Sequence, residues 1–286
     1  MRGLAIALAG GAAALTARAL WLEPRRLVVR YLTLAVPNWT PALEGLRVAV
    51  VADLHTGALH ANEEWVDRIV ERVNEERPDL VALLGDYVDR RAVLAEPVAP
   101  EAVASSLAAL AASLGTLAVL GNHDWTEGGR RVAAALRAVG IPVLENEAVK
   151  LEGGLWVAGL ADAAKRVARI DATLEPVPDG APCILLSHNP DVFPRVPARV
   201  SLTLAGHTHG AQLNVPLLRR ATVPSRFGLR YAGGRVEEDG RQMYVSRGLG
   251  TSGLPLRFRA PPEIAVIELR GDGASSSSGA PTRVGP

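Results

Sequence analysis

Val48-Ala49-Val50-Val51-Ala52-Asp53-Leu54-His55 decides how the rest of the chain is read. An unbroken apolar run of this length predicts a strand buried on both faces. It ends in an acid and a histidine. The same arrangement recurs along the chain. Residues 80–84 lead into Gly85-Asp86-Tyr87-Val88-Asp89, and residues 117–120 into Gly121-Asn122-His123-Asp124. Residues 184–186 lead into Ser187-His188-Asn189, and residues 202–205 into Gly206-His207-Thr208-His209. These blocks hold every histidine except His60.

Between the early runs lie helical patterns. Asn62 suits the cap of a helix reaching residue 75, in which Trp65, Ile69 and Val73 recur at helical spacing. Segments 101–112 and 130–138 also read as helices. Strand, helix, strand is the pattern of an α/β layer fold, in which ligands gather beyond the carboxyl ends of strands. All five blocks then converge on one edge. Their carboxylates, imidazoles and single amide oxygen are the donor types of a dinuclear centre for hard or borderline metals. One Asp or His at a strand end is by default a cap or turn residue. That default fails when five blocks repeat the same placement.

In order, the blocks match D-x-H, G-D-x-x-D, G-N-H-[DE], a lone His and G-H-x-H. On these motifs the chain resembles the calcineurin-like metallophosphoesterase family over residues 45–270. Ser187-His188-Asn189-Pro190-Asp191 and Gly206-His207-Thr208-His209-Gly210-Ala211-Gln212 resemble its YaeI-like and YkuE-like branch of membrane-associated bacterial phosphodiesterases. So does the tail from Tyr244 through Gly248-Leu249-Gly250 and Arg257-Phe258 to Pro262-Glu263-Ile264. That branch usually has Gly where this chain has Ala211.

The resemblance implies a four-layer α/β/β/α sandwich. It implies one divalent ion held by Asp53, His55, Asp86 and His209, and a second held by Asp86, Asn122, His188 and His207, with Asp86 bridging. Mn, Fe and Zn all suit these ligands. Two ions about 3.5–4 Å apart clamp the attacking and leaving oxygens of an in-line displacement at phosphorus. His123 is implied as the general acid or a donor to developing charge. Asp124 is expected to hold its imidazole and raise its pKa. Asp89 is expected to support the site or start a helix rather than bind metal. His60 reads as a surface or supporting residue, or as a contact to substrate phosphate.

The implied reaction is hydrolysis of a phosphodiester or pyrophosphate bond by a metal-bound hydroxide. Some anchored members of the family cleave UDP-2,3-diacylglucosamine, which makes a lipid-linked substrate a candidate, although nothing in this chain reads out uridine or acyl chains. Two alternatives compete: a non-catalytic metal-binding scaffold of the same fold, and a nuclease. The scaffold reading expects missing ligands, and all are present. The nuclease reading expects aromatics stacked along a basic groove. Aromatics are 4% of the chain and the net charge is +1, so nucleic acid is not an expected partner.

Outside the blocks, residues 3–22 form an Ala/Leu-rich run whose only charge is Arg18, close to the roughly 20 apolar residues a membrane span needs. Residues 1–22 are read as a membrane anchor or uncleaved signal, with membrane lipids as partners. Arg18, Arg25, Arg26 and Arg30 on its C-terminal side favour a catalytic domain facing the cytoplasm. Secretion or an outward-facing domain is the alternative. Residues 23–44 read as a connector and first strand, 45–270 as the catalytic domain, and 271–286 as a Gly/Ser-rich disordered tail. Gly248-Leu249-Gly250-Thr251-Ser252-Gly253 matches G-x-G-x-x-G, but Pro255 denies it the helix that a dinucleotide motif opens, so a tight loop near the site is expected. Cys183 reads as core, and a single cysteine excludes an internal disulfide framework. Arg219, Arg220, Arg226 and Arg230 read as a solvated face, or as contacts to an anionic substrate or lipid headgroup.

Overall fold

The computed structural model of the chain describes residues 10, 11, 13–216 and 218–273. The apolar runs become two mixed sheets. β1 (Val28–Val36), β2 (Leu46–Val51), β3 (Leu80–Leu83), β4 (Thr116–Ala118) and β11 (Glu263–Gly271) form the first, in the order β1-β11-β2-β3-β4. β5 (Glu147–Lys150), β6 (Trp156–Gly159), β7 (Cys183–Ser187), β8 (Leu202–Ala205), β9 (Gly234–Glu238) and β10 (Arg241–Val245) form the second, in the order β5-β6-β7-β8-β10-β9.

Alternation within each run sorts its side chains to opposite faces. Val48 and Val50 of β2 meet Ile184, Leu186, Leu202 and Leu204 in a core between the sheets. Ala49 and Val51 instead face a second core, shared with the helices Glu63–Glu75, Pro100–Leu107 and Gly129–Ala138. The first of these helices starts as its sequence directs: Asn62 Oδ1 accepts the Trp65 N–H at 3.0 Å, and Trp65, Val66, Ile69, Val70 and Val73 are buried. The outer face of the second sheet packs on the short helix Ile170–Leu174 and on Phe193 of the turn Pro190–Arg195. The helix expected over 101–112 ends at Leu107. The Asn74 side chain bonds the Ala109 carbonyl and the Ala111 N–H, taking up backbone groups that a longer helix would use.

Direction within the first sheet fixes where the chain enters it. β11 runs antiparallel to β2, with Ala265 opposite Val50 and Leu269 opposite Leu46, so it begins where β2 ends. β1 runs parallel to β11, with Val28 opposite Glu263. The segment before β1 therefore emerges at the edge carrying the polar blocks.

The expected membrane-spanning helix is not supported. No helix among the described residues is long and apolar enough to cross a membrane. Much of that expectation falls on residues 1–9 and 12, outside the described residues. The described remainder ends in a π-helical turn, Arg18–Leu22, that docks on the domain. Arg257 donates its backbone N–H to the Ala19 carbonyl (3.0 Å), and the buried Glu23 carboxylate accepts the Ala260 N–H (2.8 Å). Residues 274–286, most of the expected disordered tail, also lie outside the described residues.

Candidate metal centre

β2, β3 and β4 are parallel neighbours, as are β7 and β8, so each block lies just past a strand end on a common edge. The chain reverses sharply there. Asp53, His55, Asp86, His207 and His209 all adopt left-handed backbone, with φ of 53, 45, 57, 74 and 53°. Such residues cost about 1–3 kcal/mol each and persist only where surrounding bonds dictate them. Here Asp53 N–H donates to the Gly85 carbonyl (3.0 Å) and His55 N–H to that of Asp86 (2.9 Å). Gly121 is required by close approach: a Cβ there would lie 2.1 Å from Asp86 Oδ1. The Gly248–Gly253 stretch is the expected loop against the site. Leu249 N–H donates to the Ala52 carbonyl, and a Cβ on Gly250 would lie 2.1 Å from the Leu54 carbonyl oxygen.

The seven expected ligands converge. His55 Nε2 and His209 Nε2 approach to 3.0 Å, with Asp53 Oδ1 3.8 Å from His209 Nε2. His188 Nε2 lies 3.1 Å from both His207 Nδ1 and Asn122 Oδ1. Asp86 Oδ2 stands between the two sets, 3.5 Å from His55 Nε2 and 3.3 Å from His188 Nε2. Asp53-His55-His209 and Asp86-His188-His207 each bring one donor atom per residue within 4.8 Å of the others, as does His55-Asp86-His123. Two of the rings are oriented from behind. His188 Nδ1–H donates to the Leu84 carbonyl (2.8 Å) and His55 Nδ1–H to Asp89 Oδ2 (3.0 Å), which leaves each Nε2 for a metal.

One expected contact is corrected. Asp124 does not orient His123. Its carboxylate accepts the backbone N–H groups of Asp86, Tyr87 and Gly121 at 2.8–2.9 Å, bracing two ligand loops. The α-helical turn Asn122–Thr126 sends the Asp124 side chain inward and that of His123 toward the cleft. Burial and the Asp86 charge push Asp124 up to about 7, against the Gly121 and Tyr87 N–H groups. Asp89 is the partner instead, its Oδ2 3.3 Å from His123 Nδ1. Burial opposes charge on Asp89, but hydrogen bonds from His123 and His55 hold it far below the usual carboxylate range. Burial likewise opposes charge on His123, and Asp89 and Asp86 outweigh it, so its pKa is raised.

Two supporting residues were not among the expected ones. Arg257 is fully buried, donates to the carbonyls of Gly250, Arg247 and Ala260, and sets its guanidinium 3.3 Å from His209 Nδ1. Burial lowers it to about 10, which leaves it charged at neutral pH. Asp162 follows β6 at the same edge, buried, with one carboxylate oxygen lacking a partner among the described residues. Arg257 was marked only as part of the tail that resembles the branch, with no role attached, and an isolated Asp in a loop such as Asp162 carries no motif. His60 holds the N-terminal segment, its Nε2 2.6 Å from the Leu20 carbonyl. Arg226 and Arg230 pair with Asp191 and Glu238.

The residues fit a pair of divalent cations. Burial opposes charge on His188, yet Asp86, Asp53 and Asp162 together push it up to about 10. These carboxylates demand positive charge inside a buried edge, and a cation answers that demand better than a proton. Asn122, His123 and His207 are partly exposed and open onto a cleft of about 390 Å³, walled by Leu213, Pro224, Ser252 and Leu254.

Residues 46–211 match the model of the calcineurin-like phosphoesterase family. The chain is 32% identical over 281 residues to the uncharacterized metallophosphoesterase YkuE of Bacillus subtilis, covering 94% of this chain and 96% of that protein. It is 32% identical over 240 residues to the phosphodiesterase YaeI of Escherichia coli (78% and 82%), and 28% identical over 306 residues to the UDP-2,3-diacylglucosamine pyrophosphatase LpxG of Chlamydia trachomatis (86% and 90%). Members of this family use two divalent metal ions, and five buried residues with Asn122 and His207 at the cleft are placed to offer donors for them here. The chain belongs to the calcineurin-like phosphoesterase family and is a metal-dependent phosphoric ester hydrolase.

Proposed function

We propose that the enzyme hydrolyses a phosphodiester or pyrophosphate bond, with a lipid-linked phosphate as its substrate class, at a membrane to which its N-terminal segment holds it. The observation that carries the reaction is Asp86 Oδ2, shared between His55 Nε2 and His188 Nε2. Asp53, His55, Asp86 and His209 would hold one ion, and Asp86, Asn122, His188 and His207 the other. Bound there, such ions supply Lewis-acid stabilisation of an in-line displacement at phosphorus. His123 donates from Nε2 to the departing oxygen. Its Nδ1–H is tied to Asp89, and the Asp89 and Asp86 charges raise its pKa, which favours the protonated ring an acid needs.

The apolar wall of Leu213, Pro224 and Leu254 suits organic groups on both sides of the phosphate. The relative named for UDP-2,3-diacylglucosamine makes a nucleotide-linked lipid one candidate. The test is hydrolysis of bis-p-nitrophenyl phosphate and p-nitrophenyl phosphate, metal-free and with Mn²⁺, beside Asp86→Ala and His123→Ala. Diester cleavage that needs metal and falls by at least about 10²–10³-fold in both variants is expected. Cleavage of the monoester alone, or full turnover by His123→Ala, would overturn the diester reading or the acid role respectively.

A further inference from the structure

Eight large hydrophobic side chains are exposed among the described residues, and seven of them lie along the ligand edge or on the segment docked to it. Leu254, 51% exposed, is on the lip of the catalytic cleft. Val93 donates its backbone N–H to the Gly253 carbonyl, which sets Val93 and Leu94 beside that lip, and Leu94 is 68% exposed. Across the cleft, Gln212 donates to the carbonyls of Ser252 and Leu254, and the loop it opens carries Leu218 and then Thr222 of the cleft wall. Trp21 and Leu22 complete the rim, where Trp21 packs edge-on against His60 at 5.1 Å. Only Val167 stands apart, near Asn146.

Exposed apolar groups gathered around one opening mark an interaction surface. Its charge points to the partner. Arg26, Arg219, Arg220 and Arg259 are exposed along this rim and form no ion pair among the described residues. An apolar strip flanked by unpaired cations complements an anionic lipid surface. The apolar run ending at Leu22 also delivers the chain to this edge, because β1 starts there. We propose that the mouth of the catalytic cleft is itself a membrane-docking rim, with Val93, Leu94, Leu218 and Leu254 seated in the interface of an anionic bilayer. The rim rests on the lipid-linked reading above and adds an orientation to it: the metal centre faces the membrane, and a phosphate at headgroup level enters without leaving the interface.

The test uses the full chain on vesicles of phosphatidylcholine and phosphatidylglycerol, some carrying brominated acyl chains. Bimane is attached through Leu94→Cys, Leu218→Cys or, as a control on the opposite edge before β4, Ala111→Cys. Cys183 is buried, and burial pushes its thiol up to about 12, so it does not compete for label. An interfacial element sits about 5–10 Å into the headgroup and acyl boundary, so brominated lipid is expected to remove about half of the emission at positions 94 and 218. Emission at 111 is expected to be unchanged. Equal quenching at all three positions, quenching at none in vesicle-bound protein, or failure of the full chain to bind vesicles would each overturn the rim. So would a concentration-dependent dimer that shields position 94 without lipid, since the patch would then fit a second copy. Turnover of soluble bis-p-nitrophenyl phosphate, measured on the same samples, reports separately on the diesterase reading and is expected to be unaffected by Leu94→Ser.

Discussion

The two halves of the metal centre are backed by different materials. In the half of Asp53, His55 and His209, the rings lean on charged side chains: Asp89 behind His55 and Arg257 beside His209. In the half of Asp86, Asn122, His188 and His207, the side chains of His188 and Asp86 lean directly on main chain, with the Asp124 carboxylate bracing the loops behind them. His188 is held by the Leu84 carbonyl, and Asp86 Oδ1 accepts the His123 backbone N–H. A carbonyl at the end of a buried strand is as rigid as the sheet it ends. A side-chain carboxylate can be lost by a single substitution. The ring orientation of the first half is therefore the more adjustable, and that of His188 is set by the sheet.

The largest effect expected from this contrast is at Asp89, whose one oxygen faces both His55 and His123. Asp89→Asn should lower kcat/KM by about 10–100-fold, the usual range for the outer partner of a metal-binding histidine. Calorimetric titration of Mn²⁺ should show one of two sites weakened. Equal weakening of both would break the distinction between the halves.

Next comes Arg257→Met, expected to cost about 10-fold in activity through His209 and its loop. Arg257→Lys should not restore it, because an ammonium cannot span the carbonyls that the planar guanidinium bridges. Recovery with Lys would reduce the residue to a buried charge.

Smaller effects sharpen the picture around the same half. Ala211 holds φ of 65°, where a side chain costs about 1–2 kcal/mol. Ala211→Gly should raise the denaturation midpoint by about 1 kcal/mol of stability. That methyl is the departure from the branch pattern, and its strain lies two residues beyond His209.

The smallest effect concerns pH. Burial and Arg25 keep the His60 pKa below its ordinary value, against the Leu20 carbonyl that favours charge. The fold therefore prefers neutral His60. Its contribution is complete above the unfolded pKa of about 6.5 and fades as pH falls through the lower folded value. Thermal melts from pH 7 to pH 5 should fall less steeply for His60→Gln than for the parent. Parallel curves would show that the N-terminal clasp does not depend on this proton.

Much of this centre could be read from residue order alone, because strand-end donors follow a simple rule. A parallel strand must end at one edge, so Asp53, Asp86, Asn122, His188 and His207 had to meet once their apolar runs were strands. The strands β5, β6 and β9 were not legible. β5 and β9 are half exposed and charged, so neither alternation nor an apolar run announces them, and the apolar run of β6 leads into none of the five blocks. Their pairing comes from neighbours already in the sheet.

The sequence by itself determined the donor blocks, on which the family resemblance implies the ligand set, and the α/β class, since these follow from residue type and order. Only the tertiary structure decided which acid serves His123. Asp124 is next to His123 in the chain and Asp89 follows a different strand, yet the helical turn after Gly121 sends Asp124 inward to three N–H groups and leaves the imidazole to Asp89. It also decided the left-handed backbone at five of the expected ligands, the buried Arg257, and the docking of residues 18–23 at the edge carrying them. These depend on contacts between segments as much as about 240 residues apart, as in the Glu23–Ala260 bond, and no local pattern encodes a partner that distant.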